Sequence, residues 1–265
     1  MTPELGVTQL VDNFMNNRKA TQKLIGPIAW EECKHLTPDK QAAILANVPE
    51  HEHDMRMLGV PFFGSGLVYP IAENRIKCEP FEYSGLHWWR CIRAIDLGID
   101  HPTAICWFLY DTEEDVIYLV KTYAVAGENA ATHTAAANSL FSHAPIVFPH
   151  DMDNREKGSG KTTRHYYEKA GLKNGIDFHN PDESIHVEPG IKEVYERMRD
   201  GRFKVFSTCT EFWREIRLYH RKDGKLVKKN DDVMDATRQG VVMLPRHGAP
   251  LTSRVGRPSV RRAMP

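Results

Sequence analysis

Cys91-Ile-Arg-Ala-Ile-Asp-Leu97, Thr103-Ala-Ile-Cys-Trp-Phe-Leu-Tyr110 and Val116-Ile-Tyr-Leu-Val-Lys-Thr-Tyr-Ala124 follow one another with short links. Each is rich in β-branched and aromatic side chains, which suit a pleated, buried surface. With the tight polar turn Asp111 to Asp115 between the last two, they predict three consecutive strands in an antiparallel meander.

Downstream, the Ala-rich stretch Asn129 to His143 predicts a helix by propensity, and Pro145 to Pro149 a short buried strand. Thr162 to Ala170 and Ile191 to Asp200 read as helices closed by Gly171 and Gly201, with a strand at Arg202 to Phe206. Arg217 to Lys229 alternates around Asp223-Gly224, a dipeptide that supplies positive φ in a two-residue hairpin turn. Asp231 to Leu244 then forms the expected final helix, with Asn230 as its N-cap. A meander first and parallel crossovers later is the order of an RNase H-like α/β fold: a central mixed sheet flanked by helices.

Upstream, residues 1–87 read as a lead-in segment. Thr37-Pro38 starts a short helix to about Val48, and Gly59 to Pro80, rich in Gly, Pro and aromatics, reads as a linker packed onto a neighbour, with the domain boundary near residue 60. Hydrophobic residues at 41% and charged residues at 26% are those of an ordinary globular protein. Formal net charge is zero, so any polyanion surface must come from local clustering. The five cysteines form no CxxC pair and are odd in number, against both a zinc ribbon and a disulfide framework. No apolar run approaches the ~20 residues of a membrane span and no signal-peptide pattern opens the chain, so a soluble protein in a reducing cytoplasm is expected.

Asp96 lies near the end of the first meander strand, and Asp151 directly follows the short strand Ile146 to Phe148. Ligands of α/β sheets gather at the carboxyl ends of strands. Asp231, Asp232 and Asp235 fall in the first turns of the final helix, where the i, i+3 spacing puts Asp232 and Asp235 on one face. Singly, each has an ordinary structural explanation: Asp favours helix starts and turns without any metal. Together, on three elements meeting at one sheet edge, they form a hard oxygen-donor set suited to Mg²⁺ or Mn²⁺ and to phosphodiester hydrolysis by a pair of such ions.

Three stretches carry a family resemblance: Ala94-Ile-Asp-Leu-Gly98, Phe148-Pro-His-Asp-Met-Asp153 and Asn230-Asp-Asp-Val-Met-Asp-Ala-Thr-Arg238. They resemble the acidic motifs in the C-terminal nuclease domain of the large terminase subunit of tailed bacteriophages. Gly59-Val-Pro to Gly64-Ser-Gly-Leu-Val-Tyr-Pro70 resembles its link from the motor domain, so the likeness runs from about residue 25 to 245. The resemblance implies a two-metal endonuclease that cuts double-stranded viral DNA during packaging. Asp96, Asp151 and Asp232 are its leading catalytic residues and metal ligands, and Asp235, Asp231 and Asp153 the second choices. It also implies a small terminase subunit and a capsid portal as partners, in the host cytoplasm. On that basis residues 1–60 correspond to the end of the motor and its linker helices, 61–245 to the nuclease domain, and 246–265 to a basic tail expected to be disordered.

The Walker elements of such a motor have no counterpart here, so the chain is expected to be a fragment or a split gene product without ATPase activity. Gly158-Ser-Gly-Lys-Thr-Thr163 imitates a P-loop, yet Arg155 stands where the motif needs Gly and no apolar strand leads directly into it. A flexible loop beside Asp151 is expected instead, with no nucleotide site. Between Trp213 and Lys229, seven Lys or Arg residues face only Glu215 and Asp223. From that run Arg217, Arg221, Lys222, Lys225, Lys228 and Lys229 are candidate phosphate contacts, or else Lys-rich protection of a hairpin edge. Two further readings stay open: another RNase H-like enzyme such as a resolvase or transposase core, and a nonenzymatic DNA-binding or capsid-docking module.

Overall fold

The computed structural model describes residues 29–46, 48, 53–58, 66–98, 101–155, 158–180, 186–222 and 224–251. Two short helices, α1 (Pro38–Leu45) and α2 (His53–Leu58), come first. The first of them stops three residues short of the expected Val48, with Pro38 at its first turn. The links around residues 47 and 59–65 lie outside the described residues, as does the tail from residue 252.

The central sheet is built next. α3 (Glu73–Ile76) leads into β1 (Lys77–Cys78), and β2 (Arg90–Asp96), β3 (Thr103–Asp111) and β4 (Val116–Val125) form the meander. Both pairings of the meander are antiparallel. α4 (Ala130–Ala137), β5 (Ile146–Phe148), a 3-10 turn at His150–Asp153, α5 (Thr163–Lys169) and β6 (Gly175–Asp177) follow. The chain continues through α6 (Glu188–Arg199), β7 (Phe203–Phe206), α7 (Thr210–Ile216), the two-residue strands β8 (Arg221–Lys222) and β9 (Lys225–Leu226), α8 (Asp232–His247) and β10 (Ala249–Pro250). Sheet order is β1-β7-β4-β3-β2-β5-β6, with β10 antiparallel to β2. β1, β7 and β4 run parallel to each other, as do β2, β5 and β6. This is the expected mixed sheet, meander at its centre and parallel strands on both flanks.

Alternation along the strands separates the two faces. On one face α8 lies across β2, β3 and β4, so close that a Cβ at Gly240 would overlap the Phe108 ring. On the other, Trp107 donates its indole Nε1 to Ala137 O and Leu140 O at the end of α4. β4 carries a bulge, where the register with β3 shifts between Trp107 and Phe108.

Several expectations are corrected here. The predicted helix to His143 ends at Ala137, because the fully buried Arg93 takes Ala137 O, Asn138 Oδ1, Ser142 O and Ala144 O as acceptors and pulls the chain off its axis. The stretch expected to be a linker contributes to the core: Tyr69 and Ile76 are buried, and Val68 N donates to Tyr219 O. β6 and α7 have no counterpart in the sequence-based expectation, since Gly175-Ile-Asp177 is too short to carry a period. Past Leu244 the final helix runs on to His247, and β10 pairs with β2 where the basic tail was expected to begin.

Candidate active site

Asp96 is the last residue of β2, opposite Ala104 of β3, and its alternation places it on the α8 face. Gln239 of α8 donates Nε2 to its Oδ1 at 3.4 Å. Asp232 and Asp235 occupy the first turn of the same helix, and Asp151 sits in the 3-10 turn just past β5, the strand parallel to β2. Parallel neighbours end on the same side of a sheet, so β2, β5 and the start of α8 deliver their carboxylates to one edge.

What holds the start of α8 is not the expected Asn230. Asn230 takes a left-handed φ of 53°, tolerable for Asn, and Asp231 at the N-cap position makes no side-chain cap. Glu215 of α7 caps the helix instead. It is 1% exposed, and its Oε2 accepts from Val233 N at 2.8 Å and Met234 N at 3.3 Å. These are two of the amide donors that a helix start leaves without partners. Burial first, then repulsion from Asp232, raise the Glu215 carboxyl to about 7 against the pull of the helix amides.

The electrostatics records crowding of like charge. Burial pushes the Asp96 carboxyl well above the usual carboxylate range, and Asp235, Asp151 and Asp232 push it further, against Arg238. Burial also raises Asp151 and Asp231. Partners for these carboxylates come from the protein itself: His101 Nδ1 meets Asp232 Oδ1 at 2.5 Å, Lys228 Nζ lies 2.7 Å from Asp235 Oδ2 and 3.3 Å from Asp231 Oδ2, and Arg238 reaches Asp235 Oδ1 at 3.1 Å. Among the described residues no three His, Cys, Asp or Glu side chains meet at metal-ligand spacing. The donor set nevertheless suits a hard cation, and Gln239 Oε1, buried beside Asp96 without a hydrogen-bond partner, is one more oxygen that such an ion or its water would satisfy.

The family model described as Terminase RNaseH-like domain matches residues 93–244, more than half of the chain. This chain belongs to that terminase family. It is 39% identical over 244 residues, 91% of its length, to the large terminase subunit of Salmonella phage P22, and covers 48% of that protein. The large terminase subunit of Enterobacteria phage LP7 matches at 39% with 51% of its length covered; the chain thus spans about half the length of these curated relatives. The solved nuclease domain of the P22 large terminase superposes with a TM-score of 0.64 at 39% identity, over 71% of this chain and 96% of that one. The solved large terminase of a thermophilic bacteriophage has a TM-score of 0.52 at 17% identity, over 81% of this chain and 54% of that one, a likeness of fold.

Within this terminase domain the predicted site residues are placed unequally. Asp96, Asp151, Asp232 and Asp235 converge, and Asp231 adjoins them through Lys228. Asp153 does not join them: Arg164 holds both of its oxygens, at 2.7 and 3.0 Å, and also pairs with Asp177. Of the hairpin cations, Arg217 is paired with Glu73 at 2.5 and 2.8 Å and Arg221 with Glu188 at 2.8 and 2.6 Å. With Lys228 turned to Asp235, that leaves Lys222, Lys225 and Lys229 as exposed hairpin lysines. Asp223, at the hairpin turn, lies outside the described residues.

In the P-loop imitation, Thr162 accepts from His165 N and caps α5, while Arg155 and Thr162 form a bridge that closes the loop on itself. Sequence reasoning missed His101 and Glu215. His101 belongs to no ligand-like spacing, and Glu215 sits in a helix that short-range patterning does not reveal; only the tertiary fold brings either one to α8.

Proposed function

We propose that this domain is a metal-dependent endonuclease that cuts double-stranded viral DNA during genome packaging. The observation that carries the reading is the convergence of Asp96, Asp151, Asp232 and Asp235, from three separate elements, on one sheet edge, where burial and then the other three carboxylates raise the Asp96 carboxyl. Family membership supports it, as does the likeness to the P22 nuclease domain.

In this reading Asp96, Asp151 and Asp232 hold a pair of Mg²⁺ or Mn²⁺ ions, with Asp235 and Asp231 beside them. When bound, such ions activate a water and neutralise the leaving oxygen of a phosphodiester. The protein's own part is to fix the donors. β2 holds Asp96, the Glu215 cap sets the helical phase of Asp232 and Asp235, and His101 orients the Asp232 carboxylate through its Nδ1. Lys228 and Arg238 restrain Asp235. Duplex DNA is the substrate, with a small terminase subunit, a capsid portal and the host cytoplasm as the setting. The Gly158 to Thr163 loop has no part in nucleotide hydrolysis.

The test is plasmid nicking with Mn²⁺ by the wild type and by Asp96→Asn and Asp151→Asn. An amide keeps the shape and removes the charge, so each variant should lose more than the ~10–100-fold typical of residues that only support a metal ligand. Undiminished nicking by a folded variant, or by the wild type in excess chelator, overturns the proposal.

A further inference from the structure

Next to Asp151 the surface opens into a cleft of about 920 Å³ between the start of α4 and the outer side of α5. Its near end is formed by Leu97, Gly98, His101 and Asp151, so it is continuous with the acidic edge. Arg155, Lys169 and Glu128 also line it, with Ala130, Ala131 and Tyr166 along the walls. Two cations and an aromatic ring beside the acidic edge match the chemistry of a nucleotide chain, which alternates phosphate with sugar and base.

Size excludes a duplex. Clefts of roughly 300–1,000 Å³ hold ligands of small-molecule dimensions, which corresponds to one or two nucleotides and not to a base-paired helix. The walls are also fixed in place. Tyr166 donates its hydroxyl to Ser159 Oγ at 2.7 Å, and Arg155 donates to Gly160 O at 3.1 Å, so the loop that imitates a P-loop braces both the ring and the cation. Below them His133 and Tyr167 stack at an interplanar angle of 9°, and His133 Nδ1 lies 3.1 Å from the Tyr123 hydroxyl. A held aromatic ring offers a base a stacking surface of no sequence preference, and a cation beyond it takes the next phosphate.

We infer that this cleft receives one or two unpaired nucleotides of the strand being cut, next to the scissile phosphate, with Tyr166 against a base and Arg155 and Lys169 on the following phosphate. The inference rests on the nuclease reading above. It makes the enzyme sensitive to strand opening: DNA already unpaired beside the cut enters the cleft without the cost of breaking a pair.

Ala131→Trp fills the cleft from an exposed position, and Lys169→Glu reverses the charge of one of its two lining cations, Arg155 being the other. The full chain, with Ca²⁺ present, is titrated with fluorescein-labelled oligo(dT) of about eight nucleotides, within the usual single-strand site size. Each variant should bind it about tenfold or more weakly, as loss of one stacked base or one phosphate contact predicts, with Mn²⁺ affinity and melting temperature unchanged. The wild type should also cut a duplex with a short internal mismatch faster than the matched duplex, and Ala131→Trp should lose that preference.

Both variants folding and binding the oligonucleotide as the wild type does overturns the inference; if Ala131→Trp does not fold, Lys169→Glu alone decides. Deoxythymidine monophosphate displacing the oligonucleotide at equal concentration, with no effect on cleavage, also overturns it in favour of a free-nucleotide site. A wild type that fails to nick DNA with Mn²⁺ removes the nuclease reading itself. A wild type that nicks, with variants that bind normally, removes only the cleft assignment.

Discussion

Arg93 is a guanidinium in the middle of a central strand, fully buried and with no carboxylate among its hydrogen-bond acceptors. Burial lowers its pKa to about 10, and carbonyl dipoles replace an anion. Ala137 O, Ser142 O, Ala144 O and Lys173 O, together with Asn138 Oδ1, accept from its two terminal nitrogens at 2.7 to 3.3 Å. These acceptors belong to the end of α4 and to the segments leading into β5 and β6, so one side chain ties the approach to Asp151 onto the strand that bears Asp96. Arg93→Leu keeps the apolar stem but strands the buried Ala144 O, while Ala137 O keeps the Trp107 indole and the exposed Ser142 and Lys173 turn to water. A buried orphan costs on the order of 1–3 kcal/mol, and urea denaturation should register a loss of about that size. A loss below about 1 kcal/mol would mean that water replaces the guanidinium there.

At the scale of elements, the α7–α8 contact decides where α8, the helix that bears Asp232 and Asp235, begins. Ionised, Glu215 makes charge-assisted bonds to Val233 N and Met234 N; protonated, it avoids the penalty of a buried charge. Its folded pKa of about 7 lies above the ordinary value of 4.5. The folded state therefore binds this proton more tightly than the unfolded state, and the resulting stability is complete below pH 4.5 and lost as pH rises through about 7. Glu215→Gln keeps an acceptor for the helix amides and has no proton to lose. Between pH 4.5 and 8 the wild type should lose stability relative to Glu215→Gln, by up to about 3 kcal/mol at 1.36 kcal/mol per pH unit. Urea denaturation of both proteins in chelator, at several pH values, checks this, and parallel curves would show that the carboxyl ionises normally. Gly240 belongs to the same interface. A methyl there would gain up to ~1 kcal/mol of helix propensity, but its overlap with the fully buried Phe108 ring costs about 1–3 kcal/mol, so close approach wins over propensity.

Over the whole molecule, positive and negative charges balance, with 35 of each, so under the proposed function any attraction to DNA depends on which cations are still available after folding. The hairpin run contains seven basic residues in sequence, yet Arg217, Arg221 and Lys228 meet Glu73, Glu188 and Asp235. Their role is to fasten the hairpin to α3, α6 and α8. The seventh, Arg214, lies exposed on α7, and on the hairpin itself Lys222, Lys225 and Lys229 remain exposed. Replacing these three with Ala should lower the slope of log affinity against log salt by up to about 3, roughly one per phosphate released, without affecting stability. Arg221→Ala should do the reverse, leaving the slope nearly unchanged and weakening the fold. Fluorescence anisotropy with labelled duplex over a salt series measures the slope, and an unchanged slope in the triple variant would assign the hairpin to protection of a sheet edge.

The meander, the crossover strands β5 and β7 and the final acidic helix were legible in the sequence because their determinants are local: β-branched runs bounded by turn residues, glycine stops after helices, and aspartates at the ends of elements. Asp96, Asp151, Asp232 and Asp235 could be singled out for the same reason, Asp96 and Asp151 lying where a strand ends and Asp232 and Asp235 where the final helix starts. Other features depend on partners far away in the chain and leave no short-range trace. Arg93 shortens α4 by capturing carbonyls 44 to 51 residues downstream, Glu215 replaces Asn230 as the cap, and Asp153 is drawn away by Arg164. Only the tertiary structure chooses among neighbouring carboxylates and among clustered cations, because ion pairing is decided by which side chains packing brings within reach, and residue type alone is silent on that.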